Sequence, residues 1–397
     1  MKKQMVTLMT LLAAALEFTA CAPLNDDPGP AVDRNPLQSQ FNWTAAADSS
    51  TAALVDRFWF RYSSDTKGYF IDNPIALGNT AWSYNYWPQA HAIDVITDAY
   101  IRTAAPANAI YGDMFPIWYD GVREKNGNTF NNVYTDDMEW IGIALMRIYN
   151  ALGGSTSQYL DAARSMWPVI MSRWGVDGCG GGLRWCTTAT PSANACSNGP
   201  GAVMALLLYN ATQDESYLND AKKIYAWEKS TLLNQATGAI ADNMQQGGTI
   251  SGGPLTYNQG TMMGAGYMLF KITGEKHYLD EASLMADYTL NNLTDGSKTY
   301  LRDEGSGDNS LFKGIFIRYF VDMIHCADVP AAKRTKWYNF LSDNAVTAWT
   351  RGIDKTDADG MYFSQSWDKP AYVVSAKLNA QICGCTLIEA IAAAQKP

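Results

Sequence analysis

Charge is scarce in this 397-residue chain: Asp, Glu, Lys and Arg together make up 17% of it, and only 3 residues are His. Basic residues are the smaller share, 30 against 39 acidic ones, for a net charge of −9. That balance leaves no cationic face for a phosphate backbone, so nucleic acid is excluded as a partner. Several signatures of other chemistries are missing as well. The sequence has no HExxH, no GxSxG elbow, no GxxxxGK loop and no CxxC pair, which removes the common zinc-protease, hydrolase-elbow, nucleotide and zinc-ribbon readings. Two partial motifs fail on inspection. Gly178-Cys179-Gly180-Gly181-Gly182 lacks the last glycine of a dinucleotide loop and follows no strand, and Asp357-Ala358-Asp359-Gly360 has Lys355 where a first calcium ligand belongs. No cofactor and no metal are called for.

What the chain has instead is apolar mass and rings. Hydrophobic residues reach 47%, with 13 Trp and 22 Tyr, enough for a sizeable core and for flat faces that suit neutral, hydroxylated ligands. Residues 1–20 read as a leader, with Lys2 and Lys3 before an apolar stretch at 5–16 that is shorter than the roughly 20 residues of a membrane span. Phe18-Thr19-Ala20-Cys21 is similar to a bacterial lipobox, making Cys21 the expected site of lipidation; plain secretion is the alternative. Residues 21–40, with Pro23, Pro28, Pro30 and Pro36, read as a flexible tether. The expected location is the bacterial outer membrane, cell surface or periplasm, with the anchor as the only membrane contact. Six further cysteines permit disulfides in such a compartment, and spacing alone does not choose among the 15 possible connectivities.

Residues 41–397 read as one domain built on a repeat. Tyr159-Leu160-Asp161-Ala162-Ala163, Tyr217-Leu218-Asn219-Asp220-Ala221 and Tyr278-Leu279-Asp280-Glu281-Ala282 lie 58 and 61 residues apart. Each follows an apolar helical stretch and a short turn, and each continues with three- and four-residue apolar spacing. About 60 residues per unit is one helical hairpin, and six hairpins fill the mature chain. An open solenoid would end on a polar cap, whereas Leu387, Ile388 and Ile391 end this chain apolar. The expectation is an all-α fold, an (α/α)6 toroid.

Adjacent carboxylates occur five times, and only Asp136-Asp137 lies among rings and apolar residues, in Tyr134-Thr135-Asp136-Asp137-Met138-Glu139-Trp140. Two carboxyls in a partly dry setting have proton affinities pushed apart, giving one acid and one nucleophile or base, as glycoside hydrolysis requires. The competing reading is a capping box formed by Asp136 and Glu139. Other polar groups stand among rings at Trp87, Gln89 and His91, at Arg184 and Trp185 with Asn194 and Asn198, at Tyr257, Asn258 and Gln259, and at Lys313 and Arg318.

Together Tyr86-Trp87-Pro88-Gln89-Ala90-His91-Ala92, the Tyr134–Trp140 segment, Cys179-Gly180-Gly181-Gly182-Leu183-Arg184-Trp185, Tyr257-Asn258-Gln259-Gly260 and Phe312-Lys313-Gly314-Ile315 resemble glycoside hydrolase family 76, the endo-α-1,6-mannanases. The resemblance implies an (α/α)6 barrel and endo-hydrolysis of α-1,6-mannan with retention. Asp136 would be the nucleophile and Asp137 the acid and base. Trp87, Gln89, His91, Tyr134, Trp140, Arg184, Trp185, Asn194, Asn198, Tyr257, Asn258, Gln259, Lys313 and Arg318 would contact the glycan. One position departs from the family pattern: Ala193 stands where a Lys precedes Asn194. A monomer acting on mannan polymer or oligosaccharide is the expectation. The alternatives are a lipid-anchored glycan-binding protein without catalysis, and a transglycosylase or hydrolase acting on another glycan.

Overall fold

The computed structural model describes residues 41–82, 86–355 and 361–394. The leader, the tether, Cys21 and the Asp357–Gly360 segment lie outside the described residues. In chain order the helices are α1 (Trp43–Phe58), α2 (Trp87–Arg102), the single turn α3 (Ala109–Gly112), α4 (Met114–Lys125), α5 (Thr135–Ala151), α6 (Ser157–Met171) and α7 (Ala195–Thr212). There follow α8 (Glu215–Thr231), α9 (Thr256–Thr273), α10 (Lys276–Asn292), α11 (Phe312–Ile324), α12 (Ala331–Thr350) and α13 (Leu378–Ala394).

Two kinds of helix alternate. Helices α7, α9 and α13 are buried on nearly every side, and their sequences carry one charged residue at most, as helices enclosed by others require. Helices α6, α8 and α10 bury one stripe and expose the rest. Tyr159, Tyr217 and Tyr278 are each the third residue of such a helix, so the repeat marks the start of the outer layer. The inner helices touch in the order α2, α5, α7, α9, α11, α13 and back to α2. The ring is closed, an (α/α)6 barrel, with α1, α4, α6, α8, α10 and α12 packed outside it.

Ring closure depends on how closely the inner helices approach. A Cβ built on Gly199 of α7 would lie 2.4 Å from Oγ1 of Thr261 on α9, and one on Gly260 of α9 would lie 2.5 Å from Cα of Phe316 on α11. On α11, a Cβ at Gly314 would meet Cα of Cys383 on α13 at 3.0 Å. At Gly260 and Gly314 backbone packs against backbone, and at Gly199 the Thr261 side chain takes the space a Cβ would need.

The barrel interior beneath the ring's N-terminal end is filled by an ion cluster. Arg147 of α5 pairs with Asp94 of α2 at 2.8 Å and with Asp98, and Arg318 of α11 pairs with Asp98 at 2.8 Å. Arg318 also donates to Thr386 of α13 at 3.4 Å. These two arginines face Asp322 as well, whose carboxyl burial pushes up to about 6. Nearer the outer layer, Arg102 of α2 joins Glu389 of α13 to Asp48 of α1.

The sequence shows no long strand pattern, and none forms among the described residues. Short antiparallel ribbons appear in the connections: β1 (Trp59–Tyr62) with β2 (Lys67–Phe70), β3 (Trp174–Val176) with β4 (Gly181–Leu183), and β5 (Ser192–Asn194) with β6 (Asn243–Gln245) and β7 (Ile250–Ser251). A fourth ribbon pairs β8 (Ile353–Asp354) with β9 (Tyr362–Phe363). All six cysteines of the described residues are buried free thiols.

Gly260→Ala should lower unfolding free energy by about 1–3 kcal/mol through overpacking against Phe316. Gly253→Ala, where an added Cβ has no neighbour within 4 Å, should leave stability unchanged, and equilibrium denaturation of the two variants checks the difference.

Candidate active site

Inner helices begin at one end of the barrel, and there the connecting ribbons stand around a cavity of about 830 Å³. Asp136 and Asp137 are in the first turn of α5, where backbone N–H groups and the helix dipole favour negative charge. Three contacts hold this turn. Thr135 N–H donates to Trp185 O at 2.8 Å, the Thr135 hydroxyl donates to Arg184 O, and Arg173 donates to Thr135 Oγ1 at 3.0 Å and to Asn132 O at 2.6 Å. No capping box forms. Tyr134 is the N-cap residue without a side-chain cap, and Glu139 is fully buried, neither of its carboxyl oxygens having a hydrogen-bond partner among the described residues.

The two aspartates are half-buried and both line the cavity, but their surroundings differ. Trp185 Nε1 donates to Oδ2 of Asp136 at 3.3 Å, while Oδ1 has no hydrogen-bond partner among the described residues. Burial pushes the Asp136 carboxyl up to about 7, against hydrogen bonds from Cys196, Trp185 and the backbone N–H groups of Asp136 and Asp137. Asp137 has no such donors. Burial first, then the charges of Asp136 and Asp308, hold its carboxyl well above the usual carboxylate range. The titrations of such a pair are linked, and the donors make Asp136 the member that ionises more readily.

Rings and amides complete the walls. Tyr134 and Trp185 pack at 5.3 Å on one side of the pair. Across the cavity Tyr257 stacks on Phe312 at 3.8 Å, and Trp87 donates from Nε1 to Asp308 at 3.2 Å. The β5–β6–β7 ribbon supplies Ser192, Asn194, Asn243 and Gln245, linked through side-chain hydrogen bonds, with Asp242 beside them receiving Asn243 at 2.9 Å and Asn258 at 3.0 Å.

The glycosyl hydrolase family 76 model matches residues 42–397. The chain belongs to glycosyl hydrolase family 76. It is 34% identical to the GH76A α-1,6-mannanase of Salegentibacter sp. HEL1_6, with a TM-score of 0.80, over 89% of this chain and 100% of that one. An inactive variant of the Salegentibacter enzyme, with two consecutive aspartates replaced by asparagine, was solved with α-1,6-mannotriose and has a TM-score of 0.79 at the same identity and coverage. A mannan endo-1,6-alpha-mannosidase of Candida glabrata is 27% identical over 307 residues, 66% of this chain and 67% of that protein.

In this family 76 hydrolase the residues singled out from sequence fall into two groups. Asp136, Asp137, Trp87, Tyr134, Trp140, Trp185, Asn194 and Tyr257 line the cavity. The others are placed behind its walls. Gln89 accepts from Phe70 N–H at 2.9 Å and donates to Phe70 O at 2.8 Å. Asn198 does the same for Leu183, at 2.9 and 3.4 Å, and Gln259 receives Ile240 N–H at 2.7 Å and donates to Gly238 O at 2.8 Å. Gln381, near the start of α13, grips Phe363 N–H and Met361 O in the same way. These amides near the starts of inner helices replace a missing strand partner for the ribbon in front of each helix. Asn258 turns to Asp242, and Arg184 spends its guanidinium on the carbonyls of Cys186, Thr187 and Ala189, shaping the loop that carries Trp185. His91 is buried between Trp87 and Trp140, its imidazole held neutral by burial and by Arg318 and Arg147. Lys313 is fully buried over Trp367 and donates to Gln365 O at 2.6 Å, and Arg318 belongs to the ion cluster below.

Sequence reasoning passed over Asp242, Asn243, Gln245 and Asp308, which line the cavity from the connections before α9 and α11, Asn243 and Gln245 from β6. Their signal in the sequence is an unusual density of Asp, Asn and Gln just before α9 and α11, in segments without periodicity.

The raised carboxyls have a sign for stability. A carboxyl whose folded-state pKa lies above its unfolded value contributes fully below the ordinary carboxylate range, and that stability is lost as pH rises through the raised value. Asp137→Asn should therefore be more stable than the parent at pH 8, by on the order of 1–3 kcal/mol, with the gain fading toward pH 4. Denaturant titrations at both pH values read it.

Proposed function

We propose that the protein is an endo-acting α-1,6-mannanase that retains configuration through Asp136 and Asp137. The observation that carries this reading is the asymmetry of the pair. Asp136 lines the cavity with one carboxyl oxygen held by Trp185, while Asp137, lacking those donors, keeps its proton to higher pH. An anchored, more readily ionised carboxylate is a nucleophile, and its proton-retaining neighbour is a general acid.

In the first step a carboxylate oxygen of Asp136 bonds to the anomeric carbon as the glycosidic C–O bond breaks, and Asp137 gives its proton to the departing oxygen. In the second step Asp137 takes a proton from water as the water oxygen attacks the same carbon. The ester bond to Asp136 breaks, and the free α-anomer leaves with two inversions summed to retention. Tyr134 with Trp185 on one side, and Trp87, Tyr257 and Phe312 on the other, offer faces for neighbouring sugar rings, with the amide ribbon for their hydroxyls. The likeness to an α-1,6-mannanase over nearly the whole chain supports mannose as that sugar.

Incubation of residues 22–397 with debranched α-1,6-mannan should release short oligosaccharides, first seen by NMR as the α-anomer. Asp136→Asn and Asp137→Asn should each lower kcat by about 10²–10⁴-fold or more. The pH profile should be a bell, falling at low pH as Asp136 takes a proton and at high pH as Asp137 loses one. Mannan bound but never cleaved would instead favour a glycan-binding protein, and neither binding nor cleavage would favour another sugar.

The lysine-led leader and the lipobox-like Phe18-Thr19-Ala20-Cys21 support attachment to a membrane by lipid on Cys21. The full chain expressed in a bacterium should enter the detergent phase on cloud-point partition, and Cys21→Ser should send it to the aqueous phase. Equal partition of both would overturn the anchor.

A further inference from the structure

The hydrogen bonds around the start of α5 close into a circuit behind the cavity wall. Arg173 stands just past the end of α6, its backbone N–H bonded to Ile170 O at 3.0 Å. Its guanidinium donates to three neutral oxygens of the segment entering α5: Val133 O at 3.1 Å, Thr135 Oγ1 at 3.0 Å and Asn132 O at 2.6 Å. Thr135 is fully buried, and its own hydroxyl donates onward to Arg184 O. The Arg184 N–H donates back to Arg173 O at 3.1 Å, next to the Trp174–Leu183 pair of the β3–β4 ribbon. The circuit therefore runs from Arg173 to Thr135, from Thr135 to Arg184, and from Arg184 to Arg173. All three residues stand outside the cavity lining. The residues that follow two of them meet at the nucleophile. Asp136 follows Thr135, Trp185 follows Arg184, and the Trp185 indole donates to Asp136 Oδ2 at 3.3 Å. A cross-link from Thr135 N–H to Trp185 O at 2.8 Å ties the same two segments.

We propose that Arg173 and Thr135 are positioning residues for the reaction: together they hold the first turn of α5 against the Trp185 loop, so that Asp136 keeps its hydrogen bond from the Trp185 indole. This rests on the reading of Asp136 as nucleophile. The N-cap residue Tyr134 gives α5 no side-chain cap, so the first turn takes its bracing from outside the helix. The planar fork of Arg173 reaches two carbonyls and a hydroxyl at once, which the compact ammonium of a lysine does not reproduce. Its acceptors are neutral, so what the fork supplies here is geometry rather than charge pairing. The Thr135 hydroxyl accepts from one arginine and donates to the carbonyl of the other, a double role that valine, of nearly the same shape, cannot fill. Because the circuit stands behind the wall, its loss acts on turnover through Asp136 and leaves the sugar-binding surface in place.

The test joins the kinetics of α-1,6-mannan cleavage to the indole N–H resonance of Trp185 in the 15N-labelled protein, assigned with Trp185→Phe. Thr135→Val should lower kcat by about tenfold to 10²-fold with little change in KM, and should move the Trp185 resonance to where Asp136→Ala places it. Thr135→Ser keeps the hydroxyl and should recover most of the rate together with the parent resonance. Arg173→Met should resemble Thr135→Val, and Arg173→Lys, which keeps the charge but not the fork, should recover little. Equal losses in Thr135→Val and Thr135→Ser, a Trp185 resonance unmoved in Thr135→Val, or the parent rate in Arg173→Lys would each overturn the proposal. Should Arg173→Met fail to fold, the Thr135→Val and Thr135→Ser pair decides the same question. A parent that cleaves no mannan would remove the nucleophile reading itself, and the resonance would still show whether the circuit holds Trp185 on Asp136.

Discussion

Backbone-to-backbone approach in the inner ring is the constraint on which the rest of this molecule depends. Glycines at the α7–α9, α9–α11 and α11–α13 contacts let the helices meet where any side chain would intrude. Their spacing sets the circumference of the ring, and so the distance across its mouth between the Asp136–Trp185 edge and the Phe312–Asp308 edge. A ring closed this tightly also leaves little room inside for water. The charges that remain there must neutralise one another, as Arg147 and Arg318 do with Asp94 and Asp98.

The site works against the grain of the fold that supports it. Two carboxyls one residue apart are enclosed together, a placement that opposes ionisation of both. Hydrogen bonds from two backbone N–H groups, an indole and a thiol favour charge on one of them and not on the other. That difference, rather than the presence of two acids, separates a nucleophile from a proton donor. The loop 184–187 is central to it, because the same segment bridges to Tyr134 and to Ala193 and carries Trp185 against Asp136.

The fold was legible because its cause is periodic. Tyr159, Tyr217 and Tyr278 recur because each outer helix enters the same environment, and environments repeated in space repeat in sequence. The catalytic pair was legible for a different reason: adjacent carboxylates among rings are costly anywhere but at a site that uses them. Polar residues near the starts of inner helices were harder to assign. Gln89, Asn198 and Gln259 stand among rings exactly as glycan contacts would, yet each satisfies the backbone of a ribbon brought to it by the tertiary fold. From sequence, an amide facing a sugar and an amide facing a peptide group look alike. Asp242 and Asp308 escaped notice because their place in the wall is set by the short connections before α9 and α11, which carry no periodic signal.

The ion cluster and His91 also decide how a polysaccharide can meet this enzyme. With the barrel stoppered beneath the catalytic pair, a chain has no way through, and neither end of it is needed to begin. It must be laid sideways across the rim and lifted off the same way, so each encounter starts at an arbitrary interior linkage and ends in release of both fragments to the side from which they came.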